Sequence, residues 1–554
     1  MKYQELVNVY EDVAATTKRL EKTKILAEYF RRLDGDLIGM SVLLASGKVF
    51  SNVSEEEQGV GAKLLMKAVA KAVGVSVDSV EDQLRDQGDI GAAAEYLYKR
   101  KSQMTFFTQP LTIEKVYNNL RKVADISGNR AQSRKINLII ELLSSASAVE
   151  AKYIARTTLE ELRIGVGEGV LRDAIAQAYN CDQGLCERAH MLTNDLGLVA
   201  DVAYSEGDDG LKSLSLKPGK PVKPMLAQLS EGIEFTINEM GYALCETKYD
   251  GIRVQIHKAG EEINVFTRRL ENISRAVPEV VDYVREAFDD VDFICEGEII
   301  VTKEGRPISF QQILRRVRRK YDVEQAIEEV PLTLYLFDLL YYEVSLIDEP
   351  LEYRRKKLEE VVTLHDKVHL SKHLWAGPDN VDEAIKLFND SLSAGHEGIM
   401  LKNPREPYIP GIRGKKMMKF KAEPETLDMV VVGGTYGIGK RANFIGSYEV
   451  ALRDDETGGL KTTAHVATGL DDDTLEKLTQ RMKEIIVNEK GTLVEVEPKI
   501  ILEIAYSEIV KSPEYEAGYS LRFPVVKRIR DDISIADVDS VARLISIFNN
   551  NEKR

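Results

Sequence analysis

From residue 1 to about 215, apolar residues recur at three- and four-residue spacing. EEEQGVGAKLLMKAVAKAVG (55–74), TIEKVYNNLRKVADI (112–126) and KINLIIELLSSASAVEAKYIARTTLEELR (135–163) carry the pattern, which predicts amphipathic helices. SLKPGKPVKP (215–224) follows, with three prolines and a glycine that break helix and strand alike, and predicts a linker. Strand patterns dominate from about 225 to 422: YALCETK (242–248), IRVQIH (252–257), INVFTR (263–268), FICEGEIIV (293–301) and LTLYLFDLLY (332–341). The helical run NVDEAIKLFNDSL (380–392) lies among them, so this stretch predicts a mixed α/β domain. Beyond about 424 short strands recur: LDMVVVG (427–433), SYEVALR (447–453), TAHVAT (463–468) and ILEIAYS (501–507), with one helix, DDTLEKLTQRMKEIIV (472–487). Several short strands plus a helix predict a small β-barrel, with the OB-fold as the commonest nucleic-acid version.

Length agrees with this division. At roughly 150 residues per domain, 554 residues predict three or four domains, and the patterns place them at 1–215, 216–422 and 423–554. With 44% hydrophobic residues each can bury a core. Four cysteines make no disulfide framework, and Cys181 and Cys186 find no matching zinc-ligand pair in Cys245 and Cys295. A reducing, cytoplasmic setting is expected. The charged N-terminus has no signal core, and no run approaches the roughly 18 apolar residues of a membrane span.

A net charge of −15 argues against a polyanion partner on average, but binding depends on local patches. Three exist: Arg315, Arg316, Arg318, Arg319 and Lys320; Lys415, Lys416, Lys419 and Lys421; and Arg522, Lys527, Arg528 and Arg530. Each by itself reads equally well as a solvated face.

The segment Glu246-Thr247-Lys248-Tyr249-Asp250-Gly251-Ile252-Arg253 ends one strand in a lysine and turns into the next. Alone it is a hairpin with a surface lysine. Charged residues at later strand positions change that weighting. Arg268 follows a strand, Glu298 sits between apolar neighbours, Glu397 and Lys402 bracket EGIMLK, and Lys419 and Lys421 share one face of KMMKFK. Inward-pointing lysines and arginines with two carboxylates suit a polyphosphate carrying a divalent metal.

In order, KYDGIR (248–253), FTRRLEN (266–272), EGEII (296–300), LYLFDLL (334–340), EGIMLK (397–402), KMMKFK (416–421) and RFPVVKRIRDD (522–532) resemble motifs I, Ia, III, IIIa, IV, V and VI of the covalent nucleotidyltransferases. The helical stretch with LRIGVGEGVLRDAIA (162–176) is similar to the DNA-binding domain of archaeal and eukaryotic ATP-dependent DNA ligases. The resemblance implies a helical DNA-binding domain, an adenylylation domain and an OB-fold domain. It implies that Lys248 attacks the α-phosphate of ATP to form a lysyl-AMP, that AMP passes to the 5′-phosphate of a nick, and that the 3′-hydroxyl then displaces it, in replication, recombination and repair. It implies that Glu246 reads the adenine edge and Phe337 stacks on the base. Arg253, Arg268 and Arg413 would contact sugar or phosphate, and Lys419 and Lys421 the α-phosphate. Glu298 and Glu397 would bind ribose or a metal, Mg²⁺ or Mn²⁺. Arg522, Lys527, Arg528 and Arg530 would close over the pyrophosphate. Gln103, Phe106 and Phe107 resemble the sliding-clamp motif of archaeal ligases; a local core anchor is the other reading. A monomer acting on nicked duplex DNA is expected.

Two glycine clusters remain. Gly434 to Arg441 nearly matches a phosphate-binding P-loop, but Arg441 stands where Ser or Thr is required and the strand pattern YEVALR follows where a helix should. Gly165 to Gly169 suits either a helix–helix turn or backbone amides facing a DNA phosphate. Within the superfamily, an RNA ligase or capping guanylyltransferase is the alternative, disfavoured by the large helical domain and by Glu246. A catalytically dead DNA-binding scaffold is a third reading, opposed by the intact Lys248, Glu298, Glu397 and Lys419 set.

Overall fold

The structure is a computed structural model. It describes all residues except 55, 101–108, 129, 304–305, 308–315, 318–326, 328–329, 412, 423–424, 438–442, 456 and 554. At 302–303, 306–307, 413 and 550–553 it describes the backbone alone. The expected clamp motif Gln103, Phe106 and Phe107 therefore lies outside the described residues, as do Arg315, Arg318, Arg319 and Lys320.

The chain forms two compact units, Met1–Lys421 and Ala422–Arg554. In the first, thirteen described helices run from Tyr3–Ala15 to Gly207–Ser213 around one core that includes Tyr10, Phe30, Leu44, Ile139 and Tyr153. The helical spacing of these apolar residues is what buries them. The Gly165–Gly169 cluster is the turn into the helix Glu168–Tyr179, with Gly165 at φ +66° and Gly167 at the N-cap.

Twelve described strands follow: β1 (Leu226–Leu229), β2 (Ala243–Lys248), β3 (Ile252–Ala259), β4 (Glu262–Thr267), β5 (Phe293–Lys303), β6 (Arg306–Pro307), β7 (Leu332–Tyr342), β8 (Val344–Ser345), β9 (Val368–Leu370), β10 (His373–Ala376), β11 (Gly398–Lys402) and β12 (Arg413–Lys421). They build two sheets, ordered β1-β12-β11-β2-β10 and β4-β3-β5-β7-β8, with β6 on β5 and β9 on β7. Alternation sorts each strand's side chains. Ala243, Cys245, Ile399, Leu401 and Met418 pack under the helices Ile233–Met240 and Val381–Ser393. Their neighbours Glu246, Lys248, Lys402, Lys419 and Lys421 are thereby turned to the opposite face. The second sheet packs Val254, Ile256, Val280, Val284, Leu334 and Leu358 into its own core with the helices Pro278–Ala287 and Leu351–Val361.

The proline-rich segment 215–224 is irregular but not slack. The Gly219 amide donates to Nδ1 of His257 at 3.1 Å, and the Val222 amide donates to Oε1 of Gln255 at 2.9 Å. Leu192, Leu216, Val222, Met225, Ile294, Leu340 and Met417 form a small apolar cluster joining the helices to both sheets. The ion pairs Lys223–Glu168 (2.5 Å) and Arg188–Asp348 (2.6 Å) add to that junction.

The second unit holds β13 (Thr426–Tyr436), β14 (Ile445–Arg453), β15 (Leu460–Val466), β16 (Ile486–Lys490), β17 (Leu493–Val496), β18 (Ile501–Ala505), β19 (Glu508–Lys511), β20 (Tyr519–Arg522) and β21 (Val525–Ile529). Its main sheet runs β15-β14-β13-β17-β16, with β18 pairing both β13 and β21, while β19 and β20 stand apart. The closed barrel expected from the strand pattern is not formed by these pairings: among the described strands no sheet closes on itself. Long β13 divides one edge between β18 and β17, and its register against β14 shifts near Val431 to Gly433. Gly433 and Gly434 sit at that shift. A Cβ at Gly434 would lie 2.6 Å from Ile445, so the close approach needs glycine. The next described element after this glycine-rich stretch is β14, a strand and not the helix a P-loop requires.

Among the described residues no helix is long and apolar enough to cross a membrane.

Candidate active site

Register brings the motif lysines together. Lys248 pairs with Gly398, which pairs with Lys421; Glu246 pairs with Met400, which pairs with Lys419. Directly paired residues share a face, so Glu246, Lys248, Lys402, Lys419 and Lys421 line one side of the first sheet. Glu397, just before β11, forms ion pairs with Lys248 and, at 2.5 Å, with Lys421. Burial alone would raise the Glu397 carboxyl, yet these two ammonium groups hold it below the usual carboxylate range.

Opposite stands the second sheet. Arg253 on β3 pairs in register with Glu298 on β5, and Gln255 with Glu296. Arg253 donates from Nη2 to Glu296 at 2.7 Å and from Nη1 to the Met225 carbonyl at 2.9 Å. Tyr408 completes a ring: its hydroxyl accepts from the Met225 amide and donates to Oε1 of Glu296, both at 2.9 Å. The arginine fork is thus aimed by a carboxylate, a phenol and the end of the proline-rich segment. Removing the hydroxyl with Tyr408→Phe leaves a buried amide and a carboxylate oxygen short of a partner, a cost of about 1–3 kcal/mol. The expected result is a lower thermal midpoint, read by scanning calorimetry; an unchanged midpoint would show that the ring carries no stability.

Glu298 faces the first sheet's cations. Burial pushes its carboxyl up to about 7, against the pull of Lys248 and Arg253, while Glu397 and Asp250 push the same way as burial. A carboxyl whose folded value lies above its unfolded 4.5 holds its proton more tightly when folded, so between about pH 4.5 and 7 rising pH weakens the fold. Glu298→Gln removes that loss. In metal-free protein the substitution is expected to stabilise at pH 8 by about 2–3 kcal/mol and to change little at pH 5, as followed by denaturant titration. Equal effects at both pH values would contradict the shift.

Phe337 lies on β7, partly exposed, with Lys402 Nζ 4.6 Å and the Arg253 guanidinium 5.4 Å from its ring centroid. Glu246 is buried. Its Oε1 accepts from Arg355 Nη1 (2.8 Å) and Ser371 Oγ (2.7 Å), and its Oε2 pairs with Lys402. Burial would raise this carboxyl, but Lys402 and Arg355 hold it below the ordinary range. Behind Lys248, Tyr249 stacks on Tyr335 with centroids 4.3 Å apart.

Other expected residues fall elsewhere. Arg268 is exposed after β4 and, with Lys48, Glu168, Lys223 and Arg269, lines an open cleft of about 520 Å³. Arg413 begins β12, paired through its backbone with Leu226, and its side chain lies outside the described residues. Arg316, read from sequence as part of a basic patch, is buried and donates to both oxygens of Glu279 at 2.7 and 2.9 Å, so it belongs to the core. In the second unit Arg522 pairs with Glu508, Arg528 with Glu503, and Arg530 with Asp428 and Asp532, while Lys527 is exposed.

The sequence reading missed Glu296, Tyr408, Ser371 and Arg355. Glu296 had a signal: it lies two residues from Glu298 and so shares its face. Arg355 had none, because LEYRRKKLEE (351–360) reads as a solvated helix.

The donor set fits a nucleotide with its metal. Arg253 Nε is buried without a hydrogen-bond partner. Among the described residues no cluster of three or more His, Cys, Asp or Glu could cage a metal. Two carboxylates, Glu298 and Glu397, match Mg²⁺, which binds through one or two carboxylates plus substrate phosphates.

Family models match residues 2–176 as the DNA ligase N terminus, 224–421 as the ATP dependent DNA ligase domain and 441–533 as the ATP dependent DNA ligase C terminal region. The chain is 60% identical over 551 residues to a DNA ligase of Methanothermobacter thermautotrophicus, covering 99% of this chain and 98% of the relative. It is 42% identical over 556 residues to a DNA ligase of Thermococcus onnurineus, covering 100% and 99%. The solved structure "Pmar-Lig_Pre." shares the fold at a TM-score of 0.61 and 17% identity, with 95% of this chain and 99% of that one covered. The architecture is accordingly an N-terminal helical domain, a central adenylylation domain and a C-terminal β domain, and the chain belongs to the archaeal ATP-dependent DNA ligases.

Proposed function

We propose that Lys248 is the nucleophile of this ATP-dependent DNA ligase, taking AMP from ATP and passing it to the 5′-phosphate of a nick in duplex DNA. The observation that carries the reading is the lysine's place at the end of β2, ion-paired with Glu397 beside Lys421 and facing Arg253 and Glu298. An amine attacks phosphorus when uncharged. Glu397 lies where it can orient Lys248 and take up its proton. Lys419, Lys421 and Arg253 neutralise charge on the α-phosphate, which is the main demand of phosphoryl transfer. Phe337 offers a face for the base, and Glu246 an acceptor for its edge. Glu298 and Glu397 would hold Mg²⁺ or Mn²⁺, which supplies charge neutralisation at the phosphates.

The division of labour follows: residues 1–215 grip DNA, 216–422 carry the nucleotide chemistry, and 423–554 act as an OB-type module. Its cations Arg522, Lys527, Arg528 and Arg530 cover the departing pyrophosphate in the first step. Arg268 and Arg413 contact phosphate or sugar. The chain acts as a monomer, and Gln103, Phe106 and Phe107 dock on a sliding clamp. The test is a nicked duplex carrying a labelled 5′-phosphate, incubated with the protein, ATP and Mg²⁺. Sealing, with a transient AMP–DNA species, is expected; sealing without added nucleotide by protein stripped of AMP would refute it.

A further inference from the structure

We infer that Arg355 is a positioning residue that makes the site choose a 6-amino purine over a 6-oxo purine, by saturating one oxygen of Glu246 and leaving the other a single open acceptor. The inference rests on the reading of this cleft as the nucleotide site.

A carboxylate offers about four acceptor positions, two on each oxygen. Oε1 of Glu246 spends both, on Arg355 Nη1 at 2.8 Å and Ser371 Oγ at 2.7 Å. Oε2 spends one on Lys402, whose ammonium also sits 4.6 Å from the Phe337 centroid. One position remains, on the oxygen that pairs with Lys402, the cation lying over the Phe337 ring. A purine resting on Phe337 meets Glu246 through it. An exocyclic amine fills that position with an N–H. A carbonyl sets acceptor against acceptor in a buried place, and sites built to receive a substrate N–H reject analogues lacking it by large factors.

Arg355 enforces this because it cannot turn. It is fully buried, and all five of its N–H groups are used. Nε donates to Glu359 at 2.8 Å, Nη1 to Glu246 and to Ser371 Oγ, and Nη2 to the Ser371 carbonyl at 3.1 Å and to Nδ1 of His373 at 2.9 Å. The bond to Nδ1 leaves the His373 proton on Nε2, which lies 3.5 Å from Glu359. Without the guanidinium, Oε1 keeps only Ser371 and the carboxylate is free to turn, so its open acceptor is no longer held against the base edge.

The test measures nucleotide transfer to the full-length protein from ATP and from inosine triphosphate, which replaces the 6-amino group by oxygen. Wild type is expected to favour ATP strongly. Arg355→Lys, which keeps charge but supplies three donors on one atom, is expected to lower the ATP-to-ITP ratio of kcat/KM by about tenfold or more, mainly through KM for ATP. Ser371→Ala is expected to move the ratio the same way by about threefold, and it decides the matter should Arg355→Lys fail to fold. A purely structural arginine would slow both nucleotides alike. An unchanged ratio in the folded variants overturns the role of Arg355 and leaves the Lys248 reading intact, whereas wild type that takes up neither nucleotide overturns the reading beneath it.

Discussion

Lys248→Arg is expected to abolish transfer of AMP to the protein, by at least ~10³-fold, while leaving the fold and the cleft's charge in place. A guanidinium stays protonated at any working pH and has no lone pair to offer phosphorus, yet it can still pair with Glu397. The loss therefore isolates nucleophilicity from electrostatics. Intact-mass spectrometry after exposure to ATP and Mg²⁺, with no DNA, reads it directly. The same variant should retain sealing of a nick that already carries AMP on its 5′-phosphate, since the DNA 3′-hydroxyl is the nucleophile there. An adduct of AMP on the arginine variant, or its appearance on a different lysine, would end the case for Lys248.

The second large effect concerns stability. Arg354, on the helix Leu351–Val361, is buried and donates from Nε and Nη2 to the two oxygens of Asp338 at 2.8 and 2.9 Å. Asp338 follows Phe337 on β7, so the pair fastens the helix beneath the proposed base platform. Removing one partner leaves an uncompensated buried charge. Arg354→Met is expected to cost about 3–5 kcal/mol in denaturant unfolding of the first unit. Replacing both, Arg354→Met with Asp338→Leu, is expected to recover most of that, because apolar groups of similar volume carry no desolvation penalty. If the double variant proves no more stable than the single one, the loss comes from packing and not from the stranded carboxylate.

How much of this was legible beforehand differs from residue to residue. EGEIIV and KMMKFK betray which side chains share a face, because strand alternation is local and has a period of two. The end of β2 at Lys248 was readable from the Asp250-Gly251 turn that follows it. The helix LEYRRKKLEE was not: its arginines look like a solvated stripe, yet Arg354 and Arg355 are buried in the hydrogen-bonded heart of the site. Arg316 misled in the same way, since a run of basic residues says nothing of an acid 37 positions away that pairs with one of them. Barrel closure was not legible for a related reason. Strand count is written locally, but closure depends on which edges pair across long separations, and among the described strands no sheet closes on itself.

From the chain alone came the periodicities, hence helices then strands, and the order of charged motifs around one lysine. Those depend on neighbours a few positions apart, whose spacing any reader can count. Tertiary structure decided which charges are satisfied and which are left for a ligand. Glu246 meets Arg355 across 109 residues and Tyr408 meets Glu296 across 112, and such partnerships arise from packing two sheets and a helix together, where burial makes every unpaired polar atom costly and no local pattern records the choice.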